Sequence, residues 1–139
     1  MIPYVETRIP TEELSIFRKI EGVVSRLPSV DLGTDEEGNK MVLSCHILAR
    51  AVAKVFGLEY VDGFYHQGFE HTWLMTKSRN IIDVYPVATV GGPIMMDMSV
   101  VFSPAHYLYK RERLGRGFGQ NSFKRAVRRV TREIRRNTE

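Results

Sequence analysis

The sequence predicts an α+β fold, in which helices at both ends flank a set of short strands. The 139 residues are 43% hydrophobic and 26% charged, which is typical of a folded globular protein. Apolar residues recur at helical spacing near both ends, whereas short alternating runs separated by Gly, Ser and Asn fill the middle. We therefore expect residues 1–139 to form a single domain, with its core at about 41–104 and a basic helix at about 121–137.

The first helix is predicted to begin at Thr11, whose side chain is a candidate cap for the free N–H groups. Glu12 and Glu13 follow in the first turn, where acids complement the helix dipole. An apolar stripe then continues to a helix end near Pro28, and its members are Leu14, Phe17, Ile20, Val24 and Leu27. The next segment, 28–40, contains Pro, two Gly and four acids, which indicates a surface loop.

A second helix is predicted from about Ser44 to Phe56, ending at Gly57. Arg50 and Lys54 are four residues apart and are expected on its solvent side. The opposite side collects Cys45, Leu48, Ala49, Val52, Val55 and Phe56. Cys45, the single cysteine, should therefore point from the first turn toward the body of the protein. Unpaired N–H groups and the helix dipole stabilise a thiolate there, and such sites bring a cysteine pKa from about 8.5 into a range of roughly 3.5–7.5.

Three extended runs follow, at 58–65, 69–76 and 80–85. Alternation places His71 and Trp73 on one face of the second run, and Asp83 lies in the third. If Lys77–Arg79 form the centre of a hairpin with an odd loop count, His71 and Asp83 share a face and lie directly or diagonally across from each other. An even loop count would place them on opposite faces.

The remainder of the chain is predicted to add one or two strands and a final helix. The candidate strands are Val87–Val90 and Met95–Phe102. A Gly- and Arg-rich connector then leads to a helix from about Ser122. Its apolar seam consists of Phe123, Val127, Val130 and Ile134.

Cys45, His71 and Asp83 fit one nucleophilic mechanism. The imidazole takes the thiol proton, the carboxylate fixes the tautomer of the ring, and the thiolate attacks a carbonyl carbon. His71 can then protonate the departing amine. The alternative interpretation is structural, since lone cysteines are often small buried residues and a strand histidine can simply be part of a core.

The order of these residues resembles the transglutaminase-like branch of the papain-fold cysteine enzymes. Cys45 opens a helix, His71-x-Trp73 lies on a strand, and Asp83 precedes Tyr85-Pro86 on the next. The resemblance covers about 45 of the 139 residues. It implies a papain/transglutaminase-like core, with the cysteine-bearing helix packed on an antiparallel sheet or half-barrel, and a Cys-His-Asp triad. Members include proteases, amidases, cross-linking enzymes and inactive adaptors, so the resemblance does not select one reaction.

The donor to the oxyanion is not assigned by this resemblance, because the upstream Trp or Gln is missing. The backbone N–H of Cys45 is the default, with Gln67 or Asn39 as helpers. Trp73 is expected beside the imidazole, either shielding the site from water or filling the core. His46, His66 and His106 show no metal-ligand spacing with Cys45, so neither a metal nor a cofactor is expected.

The charge is distributed unevenly along the chain. Residues 110–139 carry eleven Lys or Arg against three Glu, for a net +8, whereas the remaining 109 residues carry nine basic and thirteen acidic groups, for a net −4. The final helix is therefore expected to have an anionic partner or to dock on the acidic loop at 31–37. Its candidate phosphate-binding residues are Lys124, Arg125, Arg128, Arg129, Arg132 and Arg136. The alternative is that these cations form a solvated face of the helix.

Three functional hypotheses follow from these patterns. The first is a thiol-dependent hydrolase or acyltransferase acting on a protein or peptide-like acyl substrate. The second is a small basic nucleic-acid-binding protein, and the third is an inactive papain-like adaptor that binds a protein. A cytoplasmic location is expected, since the sequence shows no signal peptide, no run of roughly 20 apolar residues and no pair of cysteines.

Overall fold

The computed structural model describes residues 8–66, 68–85, 93–99, 105–115 and 117–138. The fold is mixed α+β, with helices packed against an antiparallel sheet, as the sequence predicts. Among the described residues, no helix has both the length and the apolarity that crossing a membrane requires.

Helix α1 spans Thr11–Ser25 and differs from the prediction at its first turn. Pro10 occupies the cap position, and no side chain caps the helix. Instead, the Pro10 carbonyl accepts hydrogen bonds from the N–H groups of Glu13 and Leu14. The expectation that Thr11 caps the helix is wrong, because Thr11 is already helical and Pro10 has the fixed φ that suits a helix start.

Helix α2 spans Cys45–Phe56, and both of its ends follow from local chemistry. The Ser44 hydroxyl accepts a hydrogen bond from the N–H of Ile47 at 3.3 Å, which satisfies one of the free donors of the first turn. At the other end, Gly57 adopts φ +68°, a left-handed conformation that suits glycine. Cys45 is consequently the first residue of the helix.

Arg50 does not lie on a solvent-facing side of α2, which corrects the prediction. Its side chain is only 11% exposed and forms an ion pair of 2.6 Å with Asp62. The guanidinium also lies over the rings of Tyr60 and Phe118, at 4.4 and 4.3 Å from their centroids. The four-residue spacing of Arg50 and Lys54 indicates a solvent-exposed face, but side chains of neighbouring elements cover Arg50. An arginine can be buried when it forms an ion pair and stacks on aromatic rings.

In the described part of the chain, the sheet has five antiparallel strands in the order β4-β3-β2-β1-β5. Their bounds are β1 Glu59–Tyr65, β2 Phe69–Met75, β3 Ile81–Asp83, β4 Ile94–Met96 and β5 Tyr109–Arg111. Within the described residues there are two further helices, α3 at Ala105–Leu108 and α4 at Asn121–Thr138. The prediction of a strand at Met95–Phe102 is too long, because the strand ends at Met96 and a turn built on Asp97 follows. The predicted strand Val87–Val90 lies outside the described residues.

The hairpin between β2 and β3 has the odd loop count that the candidate triad needs. Thr76 and Asn80 close the loop through a backbone hydrogen bond of 2.9 Å, which leaves Lys77–Arg79 as three loop residues. Arg79 has φ +68°, the left-handed residue expected at the end of such a loop. His71 and Asp83 are therefore on the same face of the sheet, as predicted for this loop length.

The two faces of the sheet bury different clusters. On one face, α2 packs on the sheet and α4 packs on α2, and their apolar side chains form the main core together with Leu74, Ile82 and Val84. The other face holds a smaller, aromatic cluster, whose buried members are Val61, Trp73, Ile81, Ala105 and Tyr109. The cysteine-bearing helix therefore lies on an antiparallel sheet.

The basic helix α4 docks on the acidic loop of its own chain. Arg125 donates a hydrogen bond to the carbonyl of Thr34 at 3.0 Å, and Arg129 donates to that of Asp31 at 2.7 Å. Glu36 accepts from the hydroxyl and the N–H of Ser122 at the start of the helix, where an acid is favoured by the dipole. The loop therefore provides one anionic partner for this helix.

Candidate active site

His71 and Asp83 form a buried pair on the aromatic face of the sheet. The Nε2 atom of His71 lies 2.7 Å from Oδ2 of Asp83, and the two side chains are 0% and 1% exposed. Continuing the strand register from Leu74↔Ile82 places Asp83 diagonal to His71. The imidazole–carboxylate contact predicted from alternation is therefore present.

Tyr109 is a third member of this group that the sequence did not reveal. Its hydroxyl donates a hydrogen bond of 2.7 Å to Oδ2 of Asp83. Burial, together with the negative charge of Asp83, raises the pKa of Tyr109 above its ordinary value, so the phenol keeps its proton and remains a donor. Tyr109 reaches the site because β5 pairs with β1, with Tyr65 opposite Tyr109, a long-range pairing that local sequence does not show.

The two ring nitrogens of His71 differ in their hydrogen-bond partners. Nδ1 is buried and makes no hydrogen bond of regular geometry within the described part of the chain. A buried polar atom without a hydrogen bond lowers the stability of the folded protein, so its presence in a native structure calls for an explanation. Burial lowers the pKa of His71, but the hydrogen bond to Asp83 and the charges of Asp83 and the Cys45 thiolate outweigh it and raise that pKa to about 9. Since Nε2 is held by Asp83, Nδ1 is the nitrogen left for the Cys45 thiol.

Cys45 is half-buried at the start of α2, and its surroundings favour the thiolate. Burial raises its pKa, but the neighbouring imidazoles of His46 and His71 and the backbone N–H of Thr72 lower it from 9.0 to about 6. The thiol and the His71 ring thus favour each other's charged form, as an imidazolium–thiolate pair does.

Strand β3 lies beside only the last part of β2. β3 pairs with β2 only through Leu74 and Met75 in the described register. The preceding residues of β2, including Thr72, therefore lie beyond the end of β3, and the Thr72 N–H interacts with the thiol. The thiol is therefore near a part of β2 that β3 does not cover.

Aromatic rings enclose the imidazole. Trp73 is 3% exposed and stacks beside His71, with ring centroids 6.2 Å apart. Tyr65 meets the same imidazole edge-on at 5.9 Å. The position predicted for Trp73 is confirmed, and the surrounding rings keep bulk water from the His71–Asp83 pair.

The predicted oxyanion donors differ in their placement. The N–H of Cys45 belongs to the first residue of α2, so it has no acceptor within the helix. Asn39 is exposed in the acidic loop, where its N–H donates to Asp35 at 2.9 Å, and no described contact joins it to the thiol. Gln67 lies outside the described residues.

A second polar group next to the thiol also escaped the sequence prediction. The Nδ1 atom of His46 lies 2.6 Å from the hydroxyl of Thr72. That hydroxyl donates to Asp62 at 2.7 Å, and Asp62 is paired with Arg50. The group requires the β1–β2 register, in which Asp62 faces Thr72. The adjacency of Cys45 and His46 is the one signal that the sequence offered.

The six predicted phosphate-binding residues divide into two sets. Arg125 and Arg129 are half-buried and engaged with the acidic loop. The other four are exposed, namely Lys124, Arg128, Arg132 and Arg136, and Arg136 contacts Glu133 at 3.4 Å. Internal docking therefore uses two of the cations that were candidates for nucleic-acid contacts.

Comparisons of this chain with protein-family models, curated proteins and solved structures found no match. A functional assignment therefore depends on the chemistry of the chain's own side chains.

Proposed function

We propose that this protein is a thiol-dependent amide or acyl hydrolase, or an acyltransferase, that uses Cys45, His71 and Asp83 on a protein or peptide-like acyl substrate. One observation carries the proposal. A fully buried imidazole is fixed by a carboxylate through Nε2, while its unpartnered Nδ1 is left for a thiol of lowered pKa. In a histidine with a purely structural role, an unsatisfied buried nitrogen would only lower the stability of the fold.

The reaction follows from these positions. The thiol proton passes to Nδ1 of His71, and the sulfur attacks the carbonyl carbon of the substrate. When the tetrahedral intermediate collapses, the bond to the leaving amine or alcohol breaks, and His71 returns its proton to that group. The acyl group remains on Cys45 as a thioester, which water or an amine then cleaves. Asp83 holds the ring orientation and stabilises the imidazolium, with Tyr109 as a second donor to the carboxylate.

The fold supports the same proposal. A helix that begins at the nucleophile and packs on an antiparallel sheet carrying the histidine and the acid is the arrangement implied by the resemblance to papain-like and transglutaminase-like enzymes. The first-turn N–H of Cys45 is then the default donor to the oxyanion.

The test is the capture of an acyl-enzyme. The protein is incubated with p-nitrophenyl acetate, and its intact mass is measured by mass spectrometry. We expect one acetyl group per chain, attached to Cys45 and released by hydroxylamine, together with steady release of p-nitrophenol. Because Cys45 is the single cysteine, a thioester adduct reports on that residue alone.

Two variants test the roles of the thiol and the imidazole, and a third variant, at an exposed histidine, is the control. Cys45→Ser and His71→Asn should remove the adduct and the turnover, whereas His66→Asn should leave both unchanged. His66 is exposed and has φ +45°, a conformation that asparagine tolerates. A wild-type protein that forms no thioester, or a His71→Asn variant that forms it at the wild-type rate, would contradict the proposal. The former result is expected of an inactive adaptor.

A further inference from the structure

His46 is held by a chain of hydrogen bonds that is separate from the His71–Asp83 pair. The chain runs from Nδ1 of His46 to the Thr72 hydroxyl at 2.6 Å, and from that hydroxyl to Oδ1 of Asp62 at 2.7 Å. Arg50 lies 2.6 Å from the other carboxylate oxygen and also donates to the His46 carbonyl at 3.2 Å. The side chains of Arg50 and Asp62 are 11% and 17% exposed, so the chain is largely shielded from water.

The direction of these hydrogen bonds fixes the tautomer of His46. Asp62 is paired with Arg50 and acts as an acceptor, so the single proton of the Thr72 hydroxyl points to Asp62. The hydroxyl oxygen must then accept from His46, which places a proton on Nδ1. In the neutral ring, Nε2 is consequently the nitrogen without a proton, and it is free to act as a base.

His46 differs from His71 in its access to solvent. His71 is completely buried, whereas His46 is half-buried, with its ring against Phe118 at 4.9 Å between centroids. Both rings are close enough to the thiol to lower its pKa. A nucleophile that enters from solvent to attack an acyl group on Cys45 can therefore reach His46 without displacing the enclosed imidazole.

We propose that His46 is the general base of the second half-reaction, in which the acyl group leaves Cys45, and that Thr72, Asp62 and Arg50 position it. This inference deepens the proposed function and rests on it. Nε2 of His46 takes a proton from the incoming water or amine, and the nucleophile bonds to the acyl carbon. The carbon–sulfur bond then breaks, the thiolate of Cys45 is restored, and His46 releases its proton to solvent. His71 takes up from solvent the proton that it gave to the first leaving group, which restores the starting state.

In this proposal the two histidines act in different half-reactions. His71 serves the attack by sulfur and the departure of the first leaving group, which occur beside the buried pair. His46 serves the attack on the thioester, which requires a second molecule from solvent. Among the described residues, the charged or titratable groups joined to His46 are Cys45 and Arg50 on α2 and, through Thr72, Asp62 on β1.

The test measures two quantities in the same reaction. The first is the rate of p-nitrophenyl acetate turnover, and the second is the acetylated fraction of the enzyme, measured by intact-mass spectrometry after quenching. In His46→Asn we expect turnover to fall by about 10²-fold, as is typical for loss of a general base, while the acetylated fraction rises toward one. In His71→Asn we expect turnover to fall and the acetylated fraction to fall with it. His66→Asn is the matched control and should change neither quantity.

Asp62→Asn provides a second variant that retains the shape of the site. Arg50 should orient the amide oxygen of the new side chain toward itself, so that the amide N–H₂ faces Thr72. The hydroxyl would then donate to His46 and place the ring proton on Nε2, which removes the base. We therefore expect slow turnover with an accumulated acyl-enzyme, a signature that a purely structural role of Asp62 would not produce.

The failures of the two proposals are distinguishable. Unchanged turnover in His46→Asn, or a fall in turnover accompanied by a fall in the acetylated fraction, would overturn the role of His46 while leaving the thiol mechanism intact. Absence of any thioester in the wild-type protein would instead remove the proposed function itself. Circular dichroism checks that each variant is folded. If His46→Asn does not fold, Asp62→Asn is the variant that tests the role of His46.

Discussion

At the scale of single residues, the different surroundings of the two His71 nitrogens are the basis for proposing that this side chain has a catalytic role. Nε2 contacts Asp83 at 2.7 Å, and Nδ1 has no regular hydrogen-bond partner among the described residues. The proton of the neutral ring is therefore held on Nε2, which leaves the lone pair of Nδ1 for the thiol. The sequence allowed this pairing but could not establish it, because it depended on the length of one hairpin loop.

Tyr109→Phe tests the second donor to Asp83. The change removes a buried hydrogen bond to a charged group, so we expect the free energy of unfolding to fall by about 1.5–3 kcal/mol at neutral pH. Tyr107→Phe is the matched control, since Tyr107 is 67% exposed, and it should leave stability almost unchanged. Urea denaturation of both variants makes the comparison, and equal unfolding free energies would show that the Tyr109 hydroxyl is dispensable.

At the scale of elements, the sequence was most informative where local chemistry decides the outcome. Ser44 and Gly57 determine where α2 begins and ends, and the loop Lys77–Arg79 determines which face Asp83 shares with His71. Sequence reasoning failed where a partner from elsewhere in the chain decides. Arg50 is buried because Tyr60 and Phe118 cover it, and no spacing rule within α2 shows that.

Gly63 is a position at which the sheet tolerates no side chain. It pairs with His71 on one side and with Arg111 on the other. A Cβ atom there would lie 2.6 Å from Cη2 of Trp73 and closer still to the carbonyl oxygen of Lys110. The oxygen cannot retreat without separating β1 from β5, which carries Tyr109 to the site.

Gly63→Ala should therefore destabilise the protein by about 3 kcal/mol, at the upper end of the usual range for overpacking. Gly115→Ala is the control, because a Cβ atom there meets nothing within 4 Å, and it should change stability by less than about 0.5 kcal/mol. Thermal or urea unfolding compares the stabilities of the Gly63→Ala and Gly115→Ala variants. Similar stabilities would mean that β5 is not held as the structure indicates.

At the scale of the whole molecule, the basic C-terminal helix is part of the scaffold of the site. α4 packs against α2, the helix that presents Cys45, and against the acidic loop that leads into it. The charge asymmetry of the sequence predicted this docking as one of two possibilities. Composition could not identify which arginines take part, because that depends on which side of α4 faces the loop.

Arg129→Gln tests this docking. Arg129 donates to the carbonyl of Asp31 at 2.7 Å, and the shorter glutamine should lose that bond, at a cost of about 1 kcal/mol in unfolding free energy. Arg132→Gln is matched in charge but affects an exposed residue of the same helix, and it should have little effect. Equal losses in urea denaturation would indicate that net charge, and not docking, sets the stability.

The claim on which the whole account depends is that Cys45 and His71 form an imidazolium–thiolate pair. The pKa of about 6 for Cys45 and of about 9 for His71 means that the thiolate form grows as pH rises through 6. The rate of Cys45 alkylation by iodoacetamide from pH 5 to 9 measures this directly, since the chain has a single cysteine. We predict a midpoint near pH 6 in the wild-type protein that moves upward in His71→Asn. A wild-type midpoint near that of an ordinary thiol, about 8.5, or one that His71→Asn does not move, would contradict the account.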